Sequence, residues 1–131
     1  IIVCMISLTL NAIASGNKKP VGKIIHNNIV VHEGVHSDRT IEIPSRIGPN
    51  SLIITLENKL DSDTIVKGNE IIDDLYVILK NVHCVHTKDY ITNLDAVGRM
   101  YCADGRVIPT SGYINFNGFY MLEYDYPLFR H

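Results

Sequence analysis

Aliphatic and β-branched residues fall in short runs along this chain, several of them alternating with polar residues and each cut off by turn-forming ones. Alternation of period two buries one face of a pleated strand. Val21–Ile25 and Ile29–Val31 flank His26-Asn27-Asn28, which suits a hairpin or one long kinked strand. Thr40–Ile43 alternates up to Pro44, and Ser51–Leu56 runs between the turns Ile47-Gly48-Pro49-Asn50 and Glu57-Asn58-Lys59. Asp63–Val66 is a weaker strand. Val82–His86, Val97–Cys102 and Arg106–Ile108 follow, with Ala103-Asp104-Gly105 as a tight turn. The strongest local signal is Asn117-Gly118 between Tyr113–Phe116 and Phe119–Tyr124. That dipeptide predicts a type I′ hairpin, whose two central residues need positive φ.

One segment breaks the pattern. Ile71, Ile72, Leu75, Ile78 and Leu79 recur at helical spacing, with Glu70, Asp73 and Asp74 in the first turns and Lys80 in the last. The spacing predicts one short helix over residues 70–80, against a buried strand starting at Leu75 and running through Val85. The fold class expected is mainly β, an antiparallel sandwich or barrel with that helix, and α+β is the alternative.

Residues 1–14 form an apolar run without a charge and end on Ala12-x-Ala14, the small-residue pattern that signal peptidase accepts. A span would need about 18–20 apolar residues, so the segment reads as a signal peptide, leaving 15–131 as a single secreted domain without a membrane span. The rival reading is a buried N-terminal strand. Cys4 leaves with the leader, and Cys84 and Cys102 remain as an even pair expected to form a disulfide.

Charge narrows the partners. Twelve basic against fourteen acidic side chains give no field that would draw nucleic acid or an anionic membrane.

Candidate chemistry centres on His32-Glu33-Gly34-Val35-His36, which fits H-E-x-x-H. On a helix its histidines share one face and hold Zn²⁺, while the glutamate polarises a bound water for peptide hydrolysis. Chance supplies the pattern in about one sequence in a hundred of this composition. Here Ile29-Val30-Val31 and Gly34 disfavour a helix. On a straight strand His32 and His36 would stand about 13 Å apart, at about 3.3 Å per residue. The extended zinc motif fails at Arg39 and Glu42, and Glu57 lies on a turn. His83 and His86, three residues apart, would point to opposite faces of a strand. Neither a Gly-x-Ser-x-Gly elbow nor a glycine-rich phosphate loop occurs.

Tyr113, Phe116, Phe119, Tyr120, Tyr124, Tyr126 and Phe129 crowd the C-terminal end. Of these, Tyr113, Tyr120 and Tyr124 are the candidate binding residues, since tyrosine offers large contact area at low entropy cost. The reading is therefore a secreted, extracellular domain that binds a protein or small ligand, with no catalytic residue and no cofactor. The alternative is a zinc-dependent metallopeptidase with Glu33 as base and His32 and His36 as ligands.

Overall fold

The computed structural model describes residues 4–85 and 98–126, and within them it is almost entirely antiparallel strand. A four-stranded sheet has the order β11 (Tyr113–Ile114), β8 (Tyr76–Cys84), β1 (Cys4–Ile13), β4 (Arg39–Ser45). A six-stranded sheet has the order β10 (Val107–Pro109), β9 (Gly98–Cys102), β12 (Gly118–Tyr126), β5 (Gly48–Leu56), β2 (Val21–His26), β3 (Ile29–Val35). Strands β6 (Ile65–Lys67) and β7 (Glu70–Asp73) pair with one another as a two-stranded arm. Among the described residues the helical content is one 3₁₀ turn, Asp61–Asp63. His86, Val97 and Phe129 lie outside those residues.

The two larger sheets share one core, as in a β-sandwich. Ile6, Leu8 and Leu10 of β1, Ile43 of β4, and Val77, Leu79 and Val82 of β8 meet Ile24, Leu52, Ile54, Leu56, Met100, Tyr120 and Leu122 from the six-stranded sheet. Each wholly buried Leu or Ile contributes about 1.5–3 kcal/mol against the cost of ordering the chain.

The segment read as a leader is, in this structure, strand β1, between β4 and β8. In its apolar run Ile6, Leu8 and Leu10 are buried in the core, Ser7 is a buried polar residue, and Thr9 and Asn11 lie half-buried. A chain cut after Ala14 would lack that strand.

No helix covers residues 70–80, and that expectation is corrected. Ile71 and Ile72 are exposed on β7, whereas Leu75, Val77 and Leu79 are buried in alternation. The apparent helical stripe spans an exposed strand and a buried one. Asn81, at φ 57°, is the extra residue of a bulge opposite β1, and it lets Val82 and Cys84 resume the inward phase.

Asn27 and Asn28, at φ 49° and 68°, make the tight turn between β2 and β3. The Asn117-Gly118 hairpin does not form. Strand β11 pairs with β8 in one sheet and β12 with β5 and β9 in the other, so the dipeptide lies in a crossover. Asn117 instead clips the backbone of Lys59, accepting from its N–H at 2.8 Å and donating to its carbonyl at 2.7 Å. Gly118 lies so close to Tyr101 that a Cβ would stand 2.1 Å from that residue's carbonyl oxygen.

The sheet edges are blunted. Pro44 lies in edge strand β4 and Pro109 in edge strand β10, β11 is two residues long, and β3 carries a bulge opposite Ile24 and Ile25. Each device discourages edge-to-edge pairing.

Candidate binding face

Strand alternation gives each sheet an outer face, and the two differ. On the four-stranded sheet the central rungs are polar: His83, Ser7 and Glu42 in one, Lys80, Thr9 and Thr40 in the next. On the six-stranded sheet two apolar rungs cross the middle. Ile25, Ile53 and Met121 form one, ending at Arg99, and Thr55, Phe119, Tyr101 and Val107 form the other. Tyr101 and Phe119 stack with ring centroids 4.9 Å apart, and these side chains are half-buried apart from exposed Val107. A shallow cleft of about 450 Å³ adjoins them, lined in part by Lys23, Ile25, Glu57 and Phe119.

Strand β12 presents the opposite side chains from those proposed on sequence grounds. Tyr120 is 0% and Tyr124 9% exposed, both in the core, so Phe119, Met121 and Glu123 take the outer side. Tyr113 is exposed, on the other sheet, stacked on Tyr76 at 4.9 Å. The Tyr76 hydroxyl, burial and the charge of Asp74 push its phenol up to about 12. Beside this pair stand exposed Ile71 and Ile72 of the arm.

The expected disulfide is corrected as well. Cys84 ends β8 and Cys102 ends β9, in different sheets, and both are buried thiols with no bond between them. Burial pushes the Cys102 thiol up, away from a reactive thiolate.

A second cleft, of about 390 Å³, lies at Lys59, Arg106, Phe116 and Asn117. Its cations are engaged: Lys59 Nζ is 2.8 Å from Asp74 Oδ1, and Arg106 Nε is 2.7 Å from Asp104 Oδ2 with its guanidinium 4.4 Å from the Phe116 ring centroid. Burial raises the Asp74 carboxyl, but bonds from Lys59, Thr64 and the Leu75 N–H outweigh it, so the group lies below the usual carboxylate range.

The H-E-x-x-H residues lie on β3 and just past it, with no helix. The 13 Å separation expected of a straight strand is overturned: the His32 and His36 ring centroids are 5.6 Å apart. Gly34, at φ 122°, lies between them. Glu33, adjacent to His32 and so on the other face of the strand, lies 3.9 Å from Lys23 Nζ. Among the described residues no group of three His, Cys, Asp or Glu side chains converges on a metal position. No family model, no curated protein and no solved structure matches the chain.

Proposed function

We propose that this domain works by binding another protein through the outer face of its six-stranded sheet. The observation that carries the reading is the pair of apolar rungs, Ile25-Ile53-Met121 and Phe119-Tyr101, crossing that face, while the central rungs of the opposite sheet are polar. Aromatic and methionine side chains in a contiguous patch are the composition of interface cores. Charged Lys23, Arg99 and Glu123 stand around them, as a polar rim would. A face whose cleft is shallow and open suits a protein surface better than a small molecule, which buries most of its area in a concave site.

Replacing Phe119 with Asp and Met121 with Lys together tests the reading. These side chains point away from the core, so the variant is expected to keep the thermal midpoint of the parent within a few degrees while losing its partner. Retained binding by a folded variant rejects the face.

A further inference from the structure

We infer that His32 and His36 form a binding site for a divalent transition-metal ion, held through the Nδ1 atoms of both imidazoles. Three observations converge on it. The rings lie with centroids 5.6 Å apart. Two imidazoles bound to one ion at about 2.1 Å hold their centroids about 5–6.5 Å apart. Each ring also has its Nε2 already committed: His32 Nε2 is 2.9 Å from the Val35 carbonyl oxygen, and His36 Nε2 is 2.8 Å from the Thr55 carbonyl oxygen. A carbonyl only accepts, so both Nε2 atoms carry the proton and both Nδ1 atoms keep the lone pair. Ligating histidines are held this way, with the second ring nitrogen donating to a backbone carbonyl.

His36 supplies the third observation. It is 2% exposed, and its Nδ1 is buried with no hydrogen-bond partner. A buried acceptor left unpaired is costly, and a metal ion would satisfy it. Two neutral imidazoles with open positions suit Zn²⁺ or Cu²⁺, water completing the shell. Such an ion would pin edge strand β3 to the end of β5 through Thr55. Because Glu33 faces away, the site is a binding site and not the peptidase arrangement.

Titration of the chelator-treated chain with Zn²⁺ by calorimetry, with nitrogen NMR of the imidazoles, tests the inference. One equivalent is expected to bind, shifting the Nδ1 resonances of His32 and His36 and leaving their Nε2 resonances protonated. His32→Ala is expected to weaken that binding by about tenfold or more, and His83→Ala to leave it unchanged. Nδ1 resonances that do not move at saturating Zn²⁺, or equal affinity in folded His32→Ala, would overturn the site. The NMR readout on the parent chain stands even if the variant fails to fold.

Discussion

The Tyr124 hydroxyl lies 2.6 Å from Ser45 Oγ and 2.7 Å from His26 Nε2, joining β4 of one sheet to β12 and β2 of the other inside the core. All three residues are buried, so these bonds form where water cannot replace them. Tyr124→Phe removes the hydroxyl and strands both partners. It is expected to cost about 1–3 kcal/mol, read as a lower urea midpoint at unchanged slope.

Acid should weaken the fold from just below neutrality. Desolvation, and then the charge of Arg46, lower the pKa of His26 from its ordinary 6.5. Desolvation also lowers His36; the Thr55 carbonyl opposes it, His32 and Arg39 add to it, and Glu57 opposes it again. The unfolded chain therefore binds protons that the folded chain refuses, and stability falls as pH drops below 6.5. The loss levels off below the folded values. Urea midpoints at pH 8, 6.5 and 5 are expected to hold between the first two and fall at the third.

Gly22 is fixed by contact. A Cβ there would stand 2.0 Å from the Thr55 carbonyl oxygen, the atom that also receives the His36 bond. Gly22→Ala must push β2 from β5, at an expected cost of about 2–3 kcal/mol, and should disturb the His36 ring. Thermal melts with imidazole NMR would show both.

Removing residues 1–14 takes out β1, which fills the middle of the four-stranded sheet with Ile6, Leu8 and Leu10. The truncated chain is expected to lose cooperative unfolding in calorimetry, whereas a chain ending in an intact fold would melt sharply. The result decides between a strand and a dispensable leader for this segment.

How much of this was legible in the sequence depends on how local the signal is. The Asn27-Asn28 turn could be read because two asparagines suffice for positive φ, and the edge strand β3 then has only β2 to meet. Asn117-Gly118 misled because it encodes a backbone shape, not the partner of the following strand, which lies in the other sheet. At 70–80, periodicity summed the exposed strand β7 with the buried positions of β8, and at Asn81 a bulge shifted the phase. For Tyr120 and Tyr124, tyrosine's contact area serves a core as well as a partner, and alternation gives two faces without saying which is inside. For His32 and His36 the missing information was the approach of the two rings past Gly34, a glycine at φ 122°.

A photo-crosslinking residue placed at Met121, compared with placements at Thr9 and Tyr113, tests the binding face most directly in the protein's native setting. The account predicts one defined adduct from position 121, lost when Phe119 is changed to Asp, and none from the polar sheet at position 9. An adduct from position 113 with nothing from 121 would contradict it and move the contact to the Tyr76–Tyr113 stack beside the arm.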